Sequence, residues 1–201
     1  MGQRLVVTVE RNEHPLAKLY FHWSAYTGDA LYVTRDIVHC IYNHKDETDK
    51  DMLLRLIRFC EERGGCIEGG EDGEEVEYIT QLYPNEKFKK TGSRNDGLIA
   101  LSPDGMREMQ RWSGGDVYIR LEDDTINFCV YCGYETLEEY IAERKSWDDD
   151  FKEFTLDEIP KVGYELGYIN IHDIDALIAE FERTEDNQNV IMFGNEIVEL
   201  I

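Results

Sequence analysis

The stretch Arg4 to Trp23, RLVVTVERNEHPLAKLYFHW, decides how this chain folds. RLVVTVE (Arg4 to Glu10) is a β-branched run, Asn12 to Pro15 supplies turn chemistry, and LAKLYFHW (Leu16 to Trp23) is expected to return as its antiparallel partner. A hairpin this apolar needs cover, and the next segments are helical. From about Gly28 to Asn43, Leu31, Arg35, Val38 and Tyr42 recur near helical spacing beside Ile37 and Ile41. Thr48 then heads a near capping box, and Leu53, Leu54, Leu56, Ile57 and Cys60 form an apolar face that Gly64-Gly65 stops.

Residues 64–77 combine glycine with carboxylates and read as a surface loop, and a short helix from about Val76 to Leu82 ends before Pro84. Gly97 to Leu101 reads as a strand. Ser102-Pro103 supplies an N-cap and an N1 proline for a helix to about Trp112, which Ser113-Gly-Gly115 ends. Asp116 to Leu121 and Thr125 to Tyr131 alternate as two antiparallel strands that should extend the sheet of the first hairpin. Thr136 to Glu139 is a capping box for a helix to about Trp147, and Pro160 to Ile171 fits no single element. Asp173 to Arg183 predicts a helix, and residues 190–201 a hairpin with a two-residue turn whose apolar end should be tied into a sheet. Together these predict an α+β fold: a mixed, mainly antiparallel sheet built from hairpins, with four to six helices packed on it. The expected organisation is one domain over residues 1–201, in which 151–201 can form a looser C-terminal part.

The 201 residues carry a formal charge of −22, unevenly spread. Residues 1–45 hold five basic and four acidic side chains, whereas residues 46–201 hold 16 and 39. A field of that sign repels phosphate backbones, which argues against direct nucleic-acid binding, and favours basic partners. No apolar run approaches bilayer length, and the start MGQRLVVTVERNEHP has no apolar core before a small-residue cleavage site. Cys40, Cys60, Cys66, Cys129 and Cys132 are odd in number, as expected for reduced thiols, so the reading is a soluble intracellular protein. Cys129 and Cys132 have zinc-knuckle spacing, but the Cys60 to Cys66 gap is wide for a second pair, and no metal or cofactor is expected.

His22, Trp23, Ser24, Tyr26 and Thr27 form the most unusual segment, at a strand-to-helix junction in the non-acidic part. Helix N-termini and hydroxyls can hold an anion, and aromatic rings can stack on a base. Arg35, two turns further on, could complete neutralisation of a phosphate. The plainer reading makes Phe21 and Trp23 core residues and Ser24 or Thr27 an N-cap. Lys87, Lys89, Lys90 and Arg94 are the one basic cluster of the acidic part and read mainly as a solvated loop.

Catalytic signatures are missing from the sequence. His14, His22, His39, His44 and His172 form no HExxH-type pair, and there is no Walker loop, dinucleotide fingerprint or G-x-S-x-G elbow. The acidic clusters Glu71 to Glu77, Glu122 to Asp124 and Asp148 to Asp150 lie where loops and turns are expected, although carboxylates over a long surface can also imitate nucleic acid.

The strings YFHWSAYT, RLIRFCEERGG, GLIALSPDGM and RWSGGDVYI resemble a group of small acidic proteins of unassigned activity encoded by phages and prophages of Gram-positive gut bacteria. The resemblance runs to about Asp150 and implies counter-defence in the cytoplasm of an infected bacterial host. The leading expectation is therefore a non-catalytic protein that sequesters a small nucleotide-derived immune signal through His22, Trp23, Ser24, Tyr26, Thr27 and Arg35. The alternative is an acidic inhibitor that docks on a basic surface of a host defence protein as a nucleic-acid mimic. A third reading is an enzyme that degrades such a signal. Sponges and mimics of this kind are often homo-oligomers.

Overall fold

The computed structural model describes residues 4–25, 27–44, 47–65, 67, 74–89, 96–122, 125–132, 168–185, 190–193 and 196–199. The first hairpin is present as β1 (Leu5–Arg11) and β2 (His14–Phe21). Its turn is tighter than the sequence suggests: Arg11 pairs with His14, and Asn12 and Glu13 have φ of 50° and 65°. Two successive left-handed residues twist the way the flanking strands do, so His14 and Pro15 belong to the strand and not to the turn. Pro15 is tolerated because β3 pairs with β2 only from Lys18 onward, which leaves the start of β2 unpaired on that side.

Helix α1 (Thr27–Ile41) continues into a 3-10 turn, Tyr42–His44, and α2 (Asp49–Glu62) follows. Thr48 caps α2 by accepting from the Asp51 N–H at 3.2 Å. At its other end Gly64 takes φ +84°, the Gly64 N–H bonds to Glu61 O at 3.1 Å and the Gly65 N–H to Cys60 O at 2.8 Å. This is the Schellman stop that the double glycine encodes. Helix α3 (Glu74–Leu82) begins within the segment that reads as a loop, and β3 (Asp96–Ala100), α4 (Pro103–Gln110), β4 (Gly115–Leu121) and β5 (Ile126–Cys132) follow near their expected places. A two-residue strand β6 (Ile169–Asn170) and a 3-10 turn (Ile171–Asp173) lead into α5 (Ile174–Glu185). The helix expected over 136–147 and the acidic run 148–150 lie outside the described residues.

The main sheet has the order β3-β2-β1-β4-β5-β6. All neighbours are antiparallel except β1 and β4, which run parallel in register from Leu5 opposite Gly115 to Arg11 opposite Leu121. With five helices among the described residues, this is a mixed, mostly antiparallel α+β fold. Strands β7 (Val190–Phe193) and β8 (Glu196–Glu199) pair as expected but form a separate two-stranded sheet.

Every second residue of β1 faces one of two layers. Leu5, Val7 and Val9 join Leu19, Phe21, Val117, Ile119, Phe128 and Val130 under α1, α2 and α5. Val6, Tyr20 and Ala100 face the other way and are covered by Met106 and Met109 of α4, with Trp112 beside them. Burial on both faces explains why β1 shows a continuous apolar run and not alternation. No helix among the described residues is long and apolar enough to cross a membrane.

Gly97 sits where α2 meets β3, at φ +88°, and a β-carbon there would lie 3.3 Å from both Cα and O of Cys60. Gly97→Ala is expected to cost about 2 kcal/mol, because left-handed strain adds to the separation of two backbones. Urea denaturation should show an earlier midpoint; an unchanged midpoint would contradict the close approach.

Candidate functional site

The segment after β2 forms a turn whose side chains meet α4. The Tyr20 hydroxyl lies 2.7 Å from His22 Nδ1. Burial raises the Tyr20 pKa, with Arg4 opposing it, so the phenol keeps its proton near neutral pH. Trp23 meets the His22 ring at 4.9 Å and 87°, and Trp112 meets Tyr20 at 5.5 Å and 82°. Edge-to-face contacts at these distances are favourable, and they join four rings from β2, its turn and the end of α4. Phe21 is fully buried, as the plainer reading expects, but Trp23 is 56% exposed at φ +65°. A bulky residue in the left-handed region is a genuine outlier.

The other expected site residues do not converge on these rings. The Ser24 hydroxyl turns back to the His22 carbonyl at 3.5 Å. Thr27 is the first residue of α1, and Tyr26 lies outside the described residues. Arg35 is eight residues along α1, about 12 Å at 1.5 Å per residue. It lies 3.8 Å from Asp36 and 5.4 Å from the ring centre of Tyr32, whose hydroxyl donates to Glu182 of α5 at 2.7 Å. His22 therefore belongs with the α4 layer and Arg35 with the opposite one. Helix α1 packs on the face away from α4, so its cation cannot serve a ligand held between Trp23 and Trp112.

Most other described arginines are also engaged within the chain. Arg11 faces Asp49 at 2.8 Å, Arg55 holds Glu47 at 2.7 and 2.9 Å, and Arg58 holds Glu61 and Glu86, each at 2.6 Å. Arg63 bonds Asp36, Arg107 bonds Asp104, and Arg111 bonds Glu108 at 2.8 Å. The Arg55 hydrogen bonds, with help from His44, pull the Glu47 carboxyl down to about 2. Across the α4 side of the sheet, Arg120 bonds Glu10 at 2.7 Å and lies 4.1 Å from the Tyr168 ring centre. Next to it, Lys18 donates to Thr8 at 3.0 Å and to Gln110, which donates to Asp116 at 2.8 Å. Burial lowers the Lys18 pKa, while Asp116 and Glu10 pull it back up.

A cleft of about 430 Å³ lies between α3 and α4, lined by Glu74, Glu75, Asp104 and Glu108 together with Arg107 and Arg111. Glu75 is only 2% exposed. It accepts from the Leu101 and Ser102 N–H groups and from the Ser102 hydroxyl, the residue that caps α4 through the Gly105 N–H at 3.0 Å. The anion that a helix N-terminus favours is thus supplied by the protein itself.

Cys60 packs in the core under α2, whereas Cys129 is buried on the α4 side of β5, between Phe128 and Val130 that face the other way. These two sulfurs lie on opposite faces of the sheet, which separates the pairs a four-sulfur site would need; Cys66 and the Cys132 side chain lie outside the described residues. No group of three His, Cys, Asp or Glu among the described residues is arranged to hold a metal ion. Burial pushes the Cys129 thiol up to about 11. Iodoacetamide at about pH 8 is therefore expected to spare Cys60 and Cys129 in the native protein and to modify all five thiols after unfolding. Native labelling of Cys129 would contradict its burial. Of the basic cluster, Lys87 gives its carbonyl to Arg58 and Lys89 its N–H to Glu61, while Lys90 and Arg94 lie outside the described residues.

Tyr20, Trp112 and Glu75 were not singled out by sequence reasoning. Tyr20 is legible from the sequence, since in a strand read over Leu16 to Trp23 residues i and i+2 share a face, which places it beside His22. Trp112 and Glu75 carry no such local signal. No protein-family model matches the chain, and neither curated proteins nor solved structures gave a match.

Proposed function

We propose that the protein acts by binding and not by catalysis, as an acidic inhibitor that docks on a basic surface of a partner protein. The observation that carries this reading is that most arginines of the described residues lie against carboxylates of the chain itself, in a chain whose net charge is −22. Such a net charge steers a basic partner towards the chain and repels an anionic ligand. The resemblance to phage-encoded proteins supports a setting of counter-defence, in which the partner is a defence protein of an infected bacterium. Sequestration of a nucleotide signal is the second reading, favoured by the ring group Tyr20, His22, Trp23 and Trp112, but Arg35 lies on the other face of the sheet.

The test begins with capture of a host protein on the immobilised chain at low salt and its release at high salt. The released protein is then purified and assayed with one equivalent of this chain. The expected result is a basic protein that loses its activity, with an association rate at least about tenfold slower at high than at low ionic strength. A nucleotide found by mass spectrometry when the purified protein is denatured would overturn docking in favour of sequestration.

A further inference from the structure

Five aromatic rings of the described residues lie against cations of the chain itself. Arg35 lies 5.4 Å from the ring centre of Tyr32, Lys50 5.4 Å from Tyr83, Arg58 5.0 Å from Phe88, Arg63 4.8 Å from Phe59 and Arg120 4.1 Å from Tyr168. Trp23 and Tyr78 have no such cation among the described residues. Indole is the strongest cation acceptor of the three ring types, and among the described residues Trp23 is the more exposed of the two exposed large hydrophobic side chains, at 56% against 37% for Tyr78. Among the described residues no lysine or arginine lies over it. Arg4 acts on Tyr20, three residues earlier in the chain.

Its presentation is fixed as well as open. The backbone of Trp23 is held at φ +65°, and His22, itself bonded to Tyr20 at 2.7 Å, braces the indole edge to face at 87°. Strain of this kind persists only where the surroundings impose it, and it concentrates at binding surfaces. A pre-set aromatic side chain loses little conformational freedom on binding, which is why tryptophan recurs among the residues that dominate interfaces.

We infer that Trp23 is the anchor of the docking surface and receives a guanidinium group of the basic partner. The inference rests on the docking reading above and names its contact. The charge of −22 on the whole chain favours a cation over a phosphate, although residues 1–45, which include Trp23, are near balance with five basic and four acidic side chains. The flat, weakly hydrated guanidinium stacks on an indole face better than an ammonium does, which selects arginine over lysine.

The experiment is an NMR titration of the full chain with tetra-arginine amide, tetra-lysine amide and AMP, each at about physiological salt so that diffuse attraction is screened. The Trp23 indole N–H resonance is identified by its loss in Trp23→Asn, a substitution that accepts the left-handed backbone. Tetra-arginine should shift that resonance and bind about tenfold more tightly than tetra-lysine, Trp23→Asn should make the two peptides equal, and Trp23→Phe should fall between. If both peptides bind equally and the Trp23 signal stays still, the anchor is overturned while acidic docking stands. If AMP moves the signal and neither peptide binds, both readings are overturned.

Discussion

Replacing Glu75 by alanine is expected to destabilise the fold by about 3 kcal/mol and to lower the melting temperature by about 6–12 °C. The residue joins α3 to the start of α4 through the Leu101 and Ser102 N–H groups and the Ser102 hydroxyl. Removing its carboxylate leaves buried donors without acceptors and takes an anion from a helix N-terminus. Glu75→Gln keeps the shape but turns an NH2 group towards some of those donors, so roughly half the loss is expected. A β-carbon at Gly105 would collide with the Glu75 carboxylate, so Gly105→Ala should also destabilise the wild type. In a Glu75→Ala background the collision with the carboxylate is gone and the Ser102 Oγ at 3.0 Å remains, so alanine should cost less there than in the wild type. Thermal unfolding of the two single variants and the double variant measures this coupling. Strict additivity would show that the two residues do not touch.

Arg120→Ala should cost a similar amount, about 3 kcal/mol, for a different reason. Glu10 is only 8% exposed, and Arg120 joins it across the parallel β1–β4 pair while also bonding the Tyr168 hydroxyl at 3.2 Å. Truncating the arginine leaves a largely buried carboxylate without its counter-charge. Replacing both partners, as Glu10→Gln with Arg120→Met, should recover most of the loss, since the desolvation cost disappears with the charges. Urea denaturation of the single and double variants tests this. A double variant as unstable as Arg120→Ala would mean that packing of the arginine stem, and not the charge pair, holds β4 in place.

Much of the fold was legible because its signals are local. A β-branched run with a turn, the Thr48 and Ser102 caps, the Gly64-Gly65 stop and the alternation over β4 and β5 each depend on neighbours a few residues apart. Strand order is not local. The sequence shows that β4 and β5 pair, but β4 lies parallel to β1 because α4 carries the chain from one side of the first hairpin to the other, across the face of Val6 and Tyr20. Glu75 shows the same limit from the other side. It stands in a run of carboxylates that reads as solvated, yet α3 starts early enough to turn this one inward onto a helix end more than 25 residues away.

The segment from His22 to Thr27 is unusual in composition, but nearness in sequence does not bring its residues and Arg35 together. Helix geometry carries Arg35 to one layer, whereas His22, in the turn after β2, bonds Tyr20 in the other, where Tyr20 meets Trp112 just past α4. The sequence by itself determined the α+β class, the principal hairpins, the helix caps and the acidic surplus, since these follow from residue type and short-range spacing. Only the tertiary structure decided which carboxylates are spent on internal cations, which one is buried, and that Trp23 stands exposed while Phe21 does not. Those outcomes depend on which side chains meet across the sheet, and contacts between residues distant in sequence leave no periodic trace in it.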